Sequence, residues 1–244
     1  MLPNYFDTDV AAGYDDPSDP ANDPGLIART ADVLTDLAGP GGRALELAIG
    51  TGRIALPLAQ RGVDVRGIEL SQAMVDQMRA KPGGADLPVA IGDMATTRVD
   101  GVVDLVYLVF NTLGNVTSQD GQVAVFENAA AHLRAGGRFL VEISVPGIRR
   151  VVPGAVYRVF HHADAHHGID EYDPVTQQMF SHHYTREDDG RYRRNSVPFR
   201  FVWPSEMDLM ARIAGMRLRE RWADWDRAPF TAASTSHVSV WEKG

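Results

Sequence analysis

The chain predicts an α/β fold: an open, mostly parallel sheet of seven strands with a β-rich insertion after the fifth. Three observations carry that prediction. Continuous apolar runs near Leu45, Val65, Val89, Val106 and Leu140 suit parallel strands covered on both faces. Stretches of helical spacing fall between them. After Ser144 the pattern changes to alternating polar and apolar residues, and two further strands near the end complete the seven. The 244 residues, 44% hydrophobic and 23% charged, suit one globular core with an insertion or small lid.

Taken in order, residues 1–22 are rich in Asp, Pro and Gly and read as a loose arm with one short helix around residues 10–14. Asp23-Pro24 opens a helix, with Asp as cap and Pro at its first position, that stops at Gly39-Pro40-Gly41-Gly42. A strand then ends at Glu46 and breaks into Gly50-Thr51-Gly52. The helix after it tolerates Pro57 because that residue lies near the first turn, and a second strand (residues 63–68) closes on Glu69. Ser71 caps the following helix, and Ser118 caps the one ending at Leu133. In the insertion, segments at residues 157–160, 178–184 and 195–201 read as antiparallel strands, with a turn at Asp188-Asp189-Gly190. Ser205-Glu206-Met207-Asp208 reads as a capping box for a helix ending at Gly215, before the last strands at residues 218–222 and 237–241. The expected division is therefore an arm and core (1–144), an antiparallel β insertion (145–202), and a C-terminal helix with the last two strands (203–244).

Residues 44–71 carry the chemistry. Glycines allow close approach of backbone to ligand, a helix start offers free N–H groups, and an acid closing the second strand can take both hydroxyls of a ribose. A nucleoside-containing cofactor is implied. Gly50-Thr51-Gly52-Arg53-Ile54-Ala55 also satisfies a loose dinucleotide pattern, but Glu46 would repel a diphosphate and suits a cationic ligand.

With Glu46, Gly50 and Gly52 in place, and Ala48 where a first glycine usually stands, the turn resembles the first motif of class I S-adenosylmethionine-dependent methyltransferases. Ile91-Gly92-Asp93-Met94 resembles that family's third strand, the stretch from Asp104 to Asn111 its fourth, and His132-Leu133-Arg134-Ala135-Gly136-Gly137-Arg138 with the strand after it the fifth. The resemblance, over roughly residues 44–144, implies a Rossmann-like sheet and S-adenosyl-L-methionine as cofactor. It implies Glu69 at the ribose, Asp93 at the adenine amino group, Leu70 and Met94 on the ring faces, and Glu46, Ala48, Gly50, Gly52 and Phe110 around the methionine and sulfonium. Tyr14 resembles an N-terminal tyrosine that closes over the cofactor, and Arg29 is a weaker candidate for the methionine carboxylate.

Asn111, just past the fourth strand, is the expected contact to both sulfonium and acceptor, with Thr112 and Asn115 on the same polar loop. Six of the eight histidines lie in the insertion. Adjacent histidines on a strand point to opposite faces, so each pair offers at most one ligand, and no metal is expected. His162 and His182 are instead the expected general bases. His237 reads as structural.

The expected function is transfer of a methyl group to an O or N atom of a small metabolite, by positioning and exclusion of water. A net charge of -8 argues against holding nucleic acid through phosphates. The absence of cysteine excludes disulfides and thiol nucleophiles. No leader or long apolar span is seen, so a cytoplasmic protein without membrane partners is expected, with a homodimer left open. Two rivals stay open: an NAD-type oxidoreductase using the same turn, and a non-catalytic S-adenosylmethionine-binding protein.

Overall fold

The computed structural model describes residues 6–244, and the first five residues of the expected arm lie outside the described residues. The rest of the arm carries helix α1 (Thr8–Gly13) and is tied down rather than loose. Thr51 Oγ1 donates to Asp15 (2.7 Å), Lys81 pairs with the same carboxylate (2.6 Å), and Arg53 donates to Asn22 Oδ1 (2.9 Å). The polar residues that made the segment read as solvated are its attachments to the glycine turn.

Helix α2 (Pro24–Ala38) starts as expected, with the Asp23 carboxylate accepting from Leu26 N–H at 2.7 Å. There follow β1 (Arg43–Leu47), α3 (Ala55–Gln60), β2 (Asp64–Glu69), α4 (Gln72–Arg79), β3 (Val89–Ile91), β4 (Val103–Leu108), α5 (Gln119–His132) and β5 (Leu133–Ser144). The insertion supplies β6 (Tyr157–Ala163), β7 (His166–Tyr172), β8 (Gln178–Arg186) and β9 (Tyr192–Arg200). The chain ends with α6 (Pro204–Ile213), β10 (Met216–Trp222) and β11 (Ser236–Lys243).

The core sheet has the order β10-β11-β5-β4-β1-β2-β3, with β1 to β5 parallel and β10 and β11 antiparallel to their neighbours. After β1 the chain steps outward to β2 and β3, then returns to β4 on the other side. The crevice at the carboxyl ends of β1 and β4 is thus a topological switch point, where open α/β sheets bind ligands. Helices cover both faces, as the unbroken apolar strands require. One layer buries Phe126, Phe139 and Trp241 with Met207 and Met210. The other buries Leu34, Leu58, Met78, Leu105 and Tyr107.

The insertion is an antiparallel sheet, β6-β7-β8-β9. Its second strand was not visible in the sequence: His166 to Tyr172 carries a glycine and four charged or imidazole-bearing residues in two adjacent pairs, and its pairing with β6 and β8 makes it a strand. The capping box is also not formed. Helix α6 starts on Pro204 with Trp203 as its uncapped N-terminal neighbour, so Ser205 lies inside the helix, and Asp208 accepts instead from Arg221 and Trp241 Nε1. Arg200 is 4% exposed and binds Glu206 (2.6 Å), Gln122 (2.6 Å) and Gln177 (3.1 Å), anchoring the end of β9 to α5 and α6. Among the described residues no helix is long and apolar enough to cross a membrane.

Candidate active site

The glycine turn is shaped by left-handed backbone. Ala48, Gly50 and Gly52 have φ of 56°, 58° and 74°. Glycine adopts this region freely, alanine does not. Gly52 also has no room for a side chain, since a Cβ there would lie 2.6 Å from Met78 Cγ. Ala48 is therefore a strained substitute for glycine. Ala48→Gly should relieve about 1–2 kcal/mol of strain against about 0.4–1 kcal/mol of added unfolded-state entropy. A net gain of roughly 0.5–1 kcal/mol is expected, read from the urea midpoint at constant slope.

Glu69 is 5% exposed, and its two oxygens accept from Gly50 N–H and Ser71 N–H, each at 2.8 Å. It joins the end of β2 to the turn, and burial raises its pKa. Leu70, Asp93 and Met94 are half-buried beyond the ends of β2 and β3, and Asp93 Oδ1 accepts from Ala95 N–H at 2.8 Å. Glu46, 4% exposed at the end of β1, accepts from Tyr107 Oη at 2.9 Å. Burial pushes its pKa up to about 8, against smaller opposing effects of Tyr107 and Arg53.

Across the crevice, Phe110 and Asn111 follow β4 with φ of 58° and 61°, two left-handed residues in succession. Such geometry costs about 1–3 kcal/mol per residue and persists only where the surroundings impose it. Glu142 on β5 imposes it here. Its carboxylate accepts from Phe110 N–H (2.6 Å) and its carbonyl from Asn111 N–H (3.3 Å). Burial raises the pKa of Glu142 as well. Asn111 Oδ1 accepts from Ser144 N–H at 2.6 Å, which fixes its amide oxygen and leaves Nδ2 as donor. Thr112 bonds its own turn, donating to Val109 O at 2.7 Å.

Two cavities flank this corner. The smaller, about 30 Å³, is lined by Tyr14, Glu46, Ala48, Gly50, Arg53 and Phe110. The Arg53 guanidinium lies 3.8 Å from the Phe110 ring centroid and 5.3 Å from that of Tyr14. The larger, about 560 Å³, runs from Asn111 and Ser144 to the lid and is lined there by Asp170, Tyr172, Met179 and Phe199. Two buried carboxylates (Glu46 and Glu69), half-buried Glu142 and the cation Arg53 gather at this corner, a set of charges that fits a positively charged ligand beside a carboxylate-bearing one.

Of the residues singled out from sequence, Tyr14, Glu46, Ala48, Gly50 and Phe110 share the smaller cavity, and Asn111 lines the larger. His162 and His182 are not brought to that corner. Their strands present Asp170, Tyr172, Met179 and Ser181 to the cavity, so by alternation His162, His167 and His182 lie on the opposite face. His162 meets His167 there (2.8 Å), and His182 is held by Ser196 (2.8 Å) and Glu171 (3.1 Å). Arg29 sits on the surface 3.8 Å from Asp226. His237 is fully buried against Ser239 (2.8 Å), its pKa lowered by burial to about 4. Arg53 and Glu142 were missed. The available signals were a cation directly after the glycine turn and an acid inside the apolar run of β5. Among the described residues no three His, Asp or Glu side chains converge as metal ligands would.

The methyltransferase domain family matches residues 44–137. The CcbJ methyltransferase from Streptomyces caelestis is 33% identical over 96% of each chain and superposes with a TM-score of 0.85. The cypemycin N-terminal methyltransferase from Streptomyces sp is 26% identical over 83% of this chain and 84% of its own. The fold is also that of S-adenosylmethionine-bound CalS10 from Micromonospora echinaspora, an amino pentose methyltransferase (21% identical, 98% of this chain and 99% of that one, TM-score 0.69). The chain belongs to the class I S-adenosylmethionine-dependent methyltransferases, and its cofactor is S-adenosylmethionine.

Ionisation of Glu46 gives a check on how the cofactor is held. A carboxyl whose folded pKa exceeds its unfolded value contributes stability below about pH 4.5, which is lost as pH rises through about 8. A cationic ligand reverses the preference for the neutral form. Binding of S-adenosylmethionine at pH 7 should release a proton, measured by calorimetry in two buffers of different ionisation enthalpy, and Glu46→Gln should abolish the release.

Proposed function

We propose that the enzyme methylates an amine nitrogen of a small molecule bound between Asn111 and the lid. The observation that carries this reading is the larger cavity, which opens onto the mouth of β4 yet is lined by no histidine. A phenol would profit from a base at the reacting oxygen, whereas an amine reaches its neutral, nucleophilic form by losing a proton to water. The cypemycin relative is named an N-terminal methyltransferase, which supports the same choice.

S-adenosylmethionine supplies a methyl group already activated on sulfur, with a neutral thioether as leaving group. The protein's part is positioning. In this reading Glu69 holds the ribose, Asp93 the adenine, and Leu70 and Met94 its faces. Arg53 receives the methionine carboxylate, while Glu46 and the strained Phe110–Asn111 corner frame the sulfonium. The amine lone pair attacks in line as the carbon–sulfur bond breaks, and the product ammonium gives its proton to solvent. The lid covers the corner and excludes water.

Labelled cofactor tested against panels of amines and phenols checks the reading. Transfer to amines, with a kcat/KM profile that follows the pKa of the acceptor, is expected. Label found only in phenols, protein or RNA would overturn it. Asn111→Gly keeps the left-handed backbone and removes the side chain. It should lower kcat by about 10–100-fold and change cofactor affinity by less than about threefold. A loss confined to affinity would place Asn111 outside the transfer site.

A further inference from the structure

We propose that the acceptor carries an anionic group, a carboxylate or a phosphate, bound by arginines at the outer end of the larger cavity. This rests on the reading of that cavity as the acceptor site. The chain has a net charge of -8, yet Arg149, Arg150, Arg158 and Arg200 line this cavity and Asp170 is the one acid on it among the described residues.

Partners decide which of these charges are free. Arg200 is neutralised by Glu206 at 2.6 Å and belongs to the lid anchor. Arg158 lies 3.6 Å from Asp170, whose carboxylate also accepts from Tyr172 Oη at 3.0 Å. Arg149 donates to the carbonyl oxygens of Ala232 and Ser234, neutral acceptors that fix the guanidinium and leave its charge uncompensated. Arg150 forms no ion pair among the described residues. Four cations against Asp170 and Glu206 leave two positive charges over, both on the turn at residues 147–150 that follows β5.

Adjacent arginines on one short turn repel each other unless an anion lies between or beside them. The planar fork of guanidinium matches carboxylate and phosphate with paired hydrogen bonds. These charges do not serve the cofactor, because none of the four arginines lines the smaller cavity. They do not form a nucleic-acid stripe either, since they converge on a cavity in a chain that is acidic overall. A volume of about 560 Å³ takes a molecule that reaches from Asn111 to this turn, so the reacting amine and the anion sit at opposite ends of the acceptor.

The test is titration of the protein, saturated with S-adenosylhomocysteine, with malonate and with pyrophosphate, for wild type and for Arg149→Gln and Arg150→Gln. Saturable binding of at least one probe, weakened fivefold or more in each variant and by added salt, is expected. Tighter binding of malonate or of pyrophosphate says which anion the acceptor bears. No saturable binding, or equal binding by wild type and both variants, overturns the proposal. The reading of a small amine acceptor is judged separately, by label transfer to amines offered in neutral and anionic forms. Methylation of both forms at equal kcat/KM would leave that reading standing and overturn the anion site. Transfer to protein alone would overturn the reading while the titration still reports on the arginines.

Discussion

Glu69→Ala should weaken S-adenosylmethionine binding by about 2–4 kcal/mol, a rise in Kd of roughly 30- to 1000-fold. Two effects add. The carboxylate in its expected role takes two charge-assisted hydrogen bonds from the ribose. It also accepts from Gly50 N–H and Ser71 N–H, so it holds the glycine turn against the end of β2. Glu69→Gln separates the two, because an amide keeps one acceptor for the turn but loses the charge. Calorimetry should place it between wild type and alanine. S-adenosylhomocysteine shares the ribose and should lose affinity in parallel. Unchanged affinity in the alanine variant would remove Glu69 from the cofactor site and undo the alignment of the turn with the family's first motif.

What the sequence disclosed and what it hid divide along a physical line. The core sheet was legible because each parallel strand is covered on both faces and must be apolar throughout, which leaves runs such as those at Leu45 and Val106. The glycine turn was legible because left-handed backbone and close packing on Met78 demand particular residue types. The lid was only partly legible. The strand from His166 to Tyr172 is fixed by its pairing with β6 and β8, and no local pattern records a partner. Alternation implied that neighbouring histidines face opposite ways. It could not say which face meets the cavity, and His162 and His182 lie on the other one.

The same division explains the residues that were missed. Glu142 acts through a backbone N–H just past the end of the neighbouring strand, 32 positions away in sequence, and shapes the corner where Phe110 and Asn111 turn left-handed. Asp208, which reads as the acidic member of a capping box from Ser205, is engaged instead by Arg221 and by Trp241 Nε1. In each case a local preference gives way to a buried charge that needs a partner, because an unpaired charge in the interior costs more than a missing cap.

Arg200 gives that argument its sharpest test. Its guanidinium is 4% exposed, and it joins the last lid strand to α5 through Gln122 and to α6 through Glu206. Arg200→Ala leaves the Glu206 carboxylate without its cation and removes the donors to Gln122 and Gln177, and should destabilise the protein by about 3–5 kcal/mol in urea unfolding. Arg200→Met with Glu206→Leu removes both charges and restores volume. This double variant should recover much of the loss, since replacing a buried ion pair by packed apolar groups is often neutral. Function should divide differently. The anchor borders the larger cavity and not the smaller one, so in the double variant KM for the acceptor should rise while cofactor affinity stays within about twofold. A fall in cofactor affinity of the same size as the rise in KM would mean that the lid and the glycine turn are held as one unit, and that positioning of the acceptor cannot be altered without disturbing the crevice beneath it.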